Sequence, residues 1–228
     1  MDDTRRRNLL LVLGAAFVGW LAVRNGSLTS QSLLFFAALV PSVILHEVSH
    51  GAAALVFGDD TARRAGRLTL NPVPHVDPVW TLLVPGLLVL ANLPVIGMAR
   101  PVPVDPRRMR SPRNHSVLTS LAGPATNIAL AGLAAAAYRA FLPEGLALEF
   151  VLALGVVNVV LAVFNLIPLP PLDGSAVVER FIPTRHLRGY YRVRQYAPVI
   201  FLVVFFMGGG LLGRIMNPAV DLWLDLLS

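Results

Sequence analysis

The sequence predicts an all-α, polytopic membrane protein, and three observations carry that expectation. Apolar residues make up 55% of the 228-residue chain and charged residues only 14%, about half the charged share of an ordinary soluble domain. Mean hydropathy is +0.66. The apolar residues gather in runs at 8–23, 33–57, 79–98, 116–141, 146–167 and 196–212, most of them long enough to cross a bilayer as helices.

Taken in order, the run at 8–23 follows Arg5, Arg6 and Arg7 and so resembles a signal peptide. Trp20-Leu21-Ala22-Val23 leads into Arg24 without a small-residue cleavage site, so an uncleaved first span is expected. The run at 33–57 can span with tilt. The run at 79–98 is broken by Pro85, Gly86, Asn92, Pro94 and Gly97 and has basic flanks on both sides. Arg63, Arg64 and Arg67 precede it; Arg100, Arg107, Arg108, Arg110 and Arg113 follow. A simple crossing would place one arginine cluster outside, against the positive-inside rule. Broken backbone is tolerated at membrane depth where protein or water covers it, so a re-entrant hairpin is expected at about 79–98. With it come about five to six transmembrane helices. Just before it, Arg67-Leu68-Thr69-Leu70 is β-prone, and short β segments are expected near 66–72, where an edge strand could clamp an unwound peptide.

Between the fourth and fifth runs only Glu144 is charged, whereas Arg180, Arg185, Arg188, Arg192 and Arg194 precede the sixth. The charge rule puts the N-terminus and all three basic loops in the cytoplasm. Gly208-Gly209-Gly210 would loosen the last span, and close helix packing is expected there ahead of a hinge for a lateral gate. At 217–228, Val220, Leu222, Trp223, Leu224 and Leu227 alternate with Asp221 and Asp225, predicting a short interfacial helix.

All 19 basic residues are arginine and the formal charge is +6. The arginines cluster between apolar runs, which fits an anionic lipid face and excludes nucleic acid as the expected partner. The absence of lysine suggests a bacterium with a GC-rich genome. With no cysteine there is no disulfide framework, thiolate metal site or cysteine nucleophile. Any metal must be held by His and carboxylates.

His46-Glu47-Val48-Ser49-His50 is the sharpest feature. On a helix, residues four apart share a face, so both imidazoles can reach one ion. Neutral imidazole suits zinc, and Glu47 lies near enough to take a proton from water that zinc has acidified toward pKa about 7. Shuffling this composition yields the pattern on the order of once in several hundred chains. Ionisable groups inside an apolar run are costly and mark function. A catalytic zinc takes three protein ligands, and the third is open among Asp173, Asp77, His75, His115 and His186. Asp173 follows Pro168, Pro170 and Pro171, which end a helix, and precedes Gly174, which allows a tight turn. If 79–98 is re-entrant, the runs 33–57 and 146–167 point the same way and bring Asp173 to the membrane face of His46 and His50. A full crossing would put it on the opposite face. A metal-ion transporter or a non-catalytic metal-binding chaperone could use the same cluster. The transporter would be expected to show an inverted repeat, which is not evident, and the chaperone to lack Glu47.

At these residues the chain resembles the site-2 protease family of intramembrane zinc metalloproteases, in its compact form without PDZ or CBS domains. His46-Glu-Val-Ser-His50 matches the zinc helix, and Asn165-x-x-Pro168-x-Pro170-x-x-Asp173-Gly174 matches the second motif. Leu121-Ala-Gly-Pro-Ala-Thr-Asn127, Gly66-Arg-Leu-Thr-Leu-Asn-Pro72 and Arg100-Pro-Val-Pro-Val-Asp-Pro106 are similar to further blocks, so the resemblance covers about 32–174. It implies one zinc ion on His46, His50 and Asp173, with Glu47 as acid and base. It implies a substrate or oxyanion role for Asn165; on their own settings, Asn127 in an apolar helix and His75 between prolines are weaker candidates for lining the cleft. The expectation is a single membrane-embedded protease domain over 1–228, with its catalytic core at about 32–175 and C-terminal helices at 196–228. It would hydrolyse membrane protein or peptide substrates from a multi-pass position in the cell membrane. Substrate choice would fall to that core, to a homo-oligomer or to a regulatory membrane partner.

Overall fold

A computed structural model describes residues 29–84, 87–88, 99–197, 199–201, 203 and 210–228, with 13–14, 16–17, 19–20 and 24. Most of the expected first span at 8–23 and of the hairpin at 79–98 lies outside the described residues, as does about half of the last span at 196–212, Gly208 and Gly209 included. The described chain is mostly helical. Three of its helices are long and apolar enough to cross a membrane: α1 (Ser30–Val56), α3 (Pro112–Phe141) and α4 (Gly145–Leu166). The short helix α2 (Thr61–Arg64) follows α1, and α5 (Ser175–Phe181), α6 (Thr184–Arg194) and α7 (Leu211–Asp225) follow α4.

A capping box starts α1. Ser32 N donates to Thr29 Oγ1 at 3.1 Å, and Thr29 N donates to Ser32 Oγ at 2.9 Å. Pro112 stands in the first turn of α3, where its missing N–H costs nothing. At the other end, Leu142 and Gly145 have φ of 43° and 57°. This left-handed turn reverses the chain within a few residues, so α3 and α4 pack antiparallel.

The C-terminal end of α1 meets the N-terminal end of α3. Arg110 N donates to Phe57 O at 3.1 Å, its guanidinium to Val56 O at 2.9 Å, and the Phe57 and His115 rings stack at 4.3 Å. Arg113 reaches from the same end to the last carbonyls around α5, donating to Arg180 O at 2.7 Å and Ile182 O at 2.6 Å. The C-termini of α1 and α4 therefore share one end of the bundle, and the chain from 57 to 111 leaves and returns there. The tail helix begins earlier than 217. It starts at Leu211 and buries Trp223 against Ala131, Ala134 and Ala135 of α3, whose small side chains leave room for an indole. The indole N–H donates to Ala131 O at 2.9 Å.

The short β segments expected near 66–72 do not form, and the described residues contain no strand. The reason lies in side chains that take the groups a ladder would use. Thr69 Oγ1 accepts from Asn71 N and Asn71 Oδ1 accepts from Val73 N, which curls the segment. The His75 ring donates to Thr69 O at 2.9 Å. Arg67, only 6% exposed, donates from its guanidinium to Pro74 O, to Arg100 O at 2.7 Å and to Pro101 O at 3.0 Å. The segment is a knot of turns around one buried arginine.

Candidate metal centre

His46 and His50 stand one turn apart on α1, and Asp173 arrives from the proline-rich corner after α4. Asp173 Oδ2 lies 3.1 Å from His46 Nε2 and 3.3 Å from His50 Nε2, and the two Nε2 atoms are 3.1 Å apart. Both histidines are buried. Gly174 packs against the end of α4, where a Cβ would fall 2.2 Å from Leu166 O. That contact, with the Gly174 N–H donated to Asn165 O at 2.7 Å, turns the carboxylate back toward α1.

The hydrogen bonds behind the rings decide what this cluster can hold. His50 Nδ1 faces Thr119 O at 2.7 Å. A carbonyl only accepts, so Nδ1 carries the proton and Nε2 is a lone pair. His46 Nδ1 faces Asn127 Oδ1 at 2.5 Å, and Asn127 Nδ2 is turned away to donate to Asn158 Oδ1 at 2.8 Å. His46 Nδ1 is therefore protonated too, and its Nε2 is a second lone pair. Asp173 Oδ2 is buried and receives no hydrogen bond. Three acceptors with no donor among them repel one another unless a cation lies between them. Two imidazole nitrogens and one carboxylate oxygen are the donor set of a catalytic zinc site with one position left open. His46, His50 and Asp173 form the one such group among the described residues. The residues fit the metal.

Glu47 lines the same cavity, of about 610 Å³, with Asn165, Val102 and Phe164. Its Oε2 accepts from Val102 N–H at 2.9 Å. Pro103 disfavours helical backbone at Val102, and Arg67 grips the carbonyls just before it. Asn165 also donates from its amide to Leu161 O at 2.9 Å.

The other candidates lie elsewhere. Asn127 is fully buried behind His46. His75 is buried in the loop, bonded to Thr69 O. Asp77 caps a π-helical turn at Pro78–Leu83 by accepting from Val79 N and Trp80 N. His115 accepts from Ser111 N at the start of α3, and His186 meets Arg185 on an exposed face. Of the five candidates for a third ligand, the fold brings Asp173 alone to both imidazoles.

Sequence reasoning missed Asn158 and Thr119. Asn158 had a visible signal, an amide in the middle of the run 146–167 and as costly there as Asn127 is in its own helix. Thr119 contributes a backbone carbonyl, which no side-chain pattern reveals.

Comparison with known proteins finds zinc metalloproteases. The profile of peptidase family M50 matches residues 140–208. The chain is 36% identical over 203 residues to YwhC of Bacillus subtilis, named as a zinc metalloprotease, covering 83% of this chain and 89% of that protein. It is 30% identical over 223 residues to Rip2 of Mycolicibacterium smegmatis, with coverage of 94% and 81%. Rip2 of Mycobacterium tuberculosis is 33% identical over 204 residues, with coverage of 85% and 77%. Both Rip2 proteins carry the same zinc metalloprotease description. No solved structure matches the chain significantly.

Proposed function

The chain belongs to peptidase family M50 and is an intramembrane zinc metalloprotease, and from that premise we propose that His46, His50 and Asp173 hold its zinc while Glu47 moves the proton. The observation that carries this reading is the convergence of three unprotonated donor atoms within a cavity that also presents a carboxylate. When bound, zinc supplies Lewis acidity that acidifies water and polarises a carbonyl. Glu47 accepts a proton from the attacking water and delivers it to the departing amine. The Val102 N–H holds the Glu47 carboxylate in place, so the base does not swing away between turnovers. Asn165, on the cavity wall, orients the peptide or its developing oxyanion through its amide.

The chain acts in a membrane, on protein substrates. We assign the end of the bundle bearing the metal to the cytoplasmic side, because Arg63, Arg64, Arg107, Arg108, Arg110 and Arg113 gather there while the α3–α4 turn carries only Glu144. The Arg110–Phe57 contact supports a re-entrant course for 79–98, since the chain comes back to the end it left. Together with the runs at 8–23 and 196–212, this gives a single protease domain of about five to six spans.

The test is a pair of variants in detergent-purified protein. Glu47→Gln abolishes cleavage of a helix-destabilised membrane peptide and keeps stoichiometric zinc, while Asp173→Ala lowers zinc occupancy. Cleavage by the glutamine variant would remove Glu47 from the reaction, and full zinc in the alanine variant would pass the ligand position to another residue.

A further inference from the structure

We propose that Asn158 is a positioning residue for the metal centre: by fixing which edge of the Asn127 amide faces His46, it fixes the tautomer of His46 and so the availability of its Nε2 lone pair. Asn158 and Asn127 are both 0% exposed, each in the middle of an apolar helix where an unmatched amide is costly.

The direction of every bond in this relay follows from its first link. Ser42 Oγ–H donates to Ala38 O at 2.7 Å, so Ser42 meets its other partner as an acceptor. That partner is Asn158 Nδ2, at 2.8 Å. The same NH₂ donates to Leu154 O at 2.8 Å. With both protons committed, Asn158 turns its oxygen to Asn127, accepting from Nδ2 at 2.8 Å. Asn127 can then offer His46 only its oxygen, at 2.5 Å.

A flipped Asn127 would present N–H groups to His46 Nδ1. The ring would have to shift its proton to Nε2, which would close the lone pair that faces Asp173. The relay runs from α1 through α4 and α3 and returns to α1, and its two ends, Ser42 and His46, are four residues apart on the same face. Asn158 thus acts on an ion it does not touch, in the way outer partners of metal-bound histidines fix ring orientation.

The inference rests on His46 as a zinc ligand, and the experiment separates the two. Zinc affinity is measured on the detergent-purified full chain by chelator competition, and geometry by the visible absorption of the cobalt-substituted protein. His46→Ala is the control: wild-type affinity in it would overturn the ligand assignment itself. Given loss there, Asn158→Leu is expected to weaken zinc by about tenfold and to alter the cobalt spectrum, within the roughly 10- to 100-fold range of such outer partners. Asn158→Asp keeps an acceptor facing Asn127 in either ionisation state and should recover most of the affinity. The double variant Asn127→Leu/Asn158→Leu should bind zinc no more weakly than Asn127→Leu alone, because Asn158 works only through Asn127. Ser42→Ala, a smaller change at the far end, should weaken zinc in the same direction and serves if Asn158→Leu does not fold. Wild-type zinc affinity in Asn158→Leu, or in Ser42→Ala where that variant stands in, would overturn the relay. So would a double variant whose loss is the product of the two single losses.

Discussion

Gly123 backs directly onto the imidazole of His50: a Cβ built there would lie 2.5 Å from His50 Nε2 and 2.6 Å from His46 Nε2. The position that needs no side chain is the one that lets α3 close over the metal donors. Gly123→Ala should therefore leave the helices intact while driving both rings off their positions. Overpacking of about 1–3 kcal/mol, if taken from metal binding, corresponds to roughly 5- to 150-fold weaker zinc. Zinc titration beside far-UV circular dichroism checks this, and wild-type zinc affinity would show that the rings have somewhere else to go.

Arg67 sits away from the cavity yet is tied through the loop to the Glu47 carboxylate, the proposed base. Its buried guanidinium holds the carbonyls of Arg100 and Pro101, next to the amide that fixes Glu47. Lysine keeps the charge but not the planar fork. Arg67→Lys is expected to lower kcat by about tenfold while zinc stays stoichiometric, with a stability loss of about 1.5–3 kcal/mol for the charged hydrogen bonds removed. Reduced zinc with unchanged kcat per bound ion would place the effect elsewhere.

These two residues mark how far the sequence could be read. The pairing of His46 and His50 was legible because helical periodicity alone puts them on one face, whereas Asp173 was one of five candidates and depended on a re-entrant course that would point α1 and α4 the same way. Arg67 was misread within a β-prone stretch, because Thr69 favours strands locally while the partners that override it, at Pro74, Arg100 and Pro101, come from later in the chain. Asn158 was passed over for a similar reason. Its role depends on three helices meeting at one depth, and no single run of sequence records that meeting.

Asp59 gives the loop a pH dependence of definite sign. It is fully buried. Burial pushes its carboxyl up, but the Thr61 hydroxyl, the Asp105 amide at 2.6 Å and the Thr61 amide at 3.0 Å outweigh that and hold it below the usual carboxylate range. A depressed value means that Asp59 stabilises the folded loop fully above about pH 4 and loses that contribution as the pH falls through its folded value. Hydrogen exchange of the amides at 99–108 should accelerate on acidification beyond the intrinsic pH trend. In Asp59→Asn this acid limb should flatten, and an unchanged acid limb in that variant would assign it to another group.

The orientation of the bundle can be read with single cysteines, because the chain has none of its own. Leu70 is 66% exposed in the loop after α2 and Leu142 is 70% exposed at the α3–α4 turn, at opposite ends of the long helices. Arg107 is exposed in the segment that returns to the start of α3. If 79–98 dips in and comes back, Leu70→Cys and Arg107→Cys should both react with a membrane-impermeant maleimide in inverted vesicles and stay protected in intact cells. Leu142→Cys should show the reverse. Labelling of Leu70→Cys and Arg107→Cys from opposite sides would require a full crossing between them. Such a crossing would carry α3 and Asp173 away from the end of α1 that bears His46 and His50, and would remove Asp173 from the proposed ligand set.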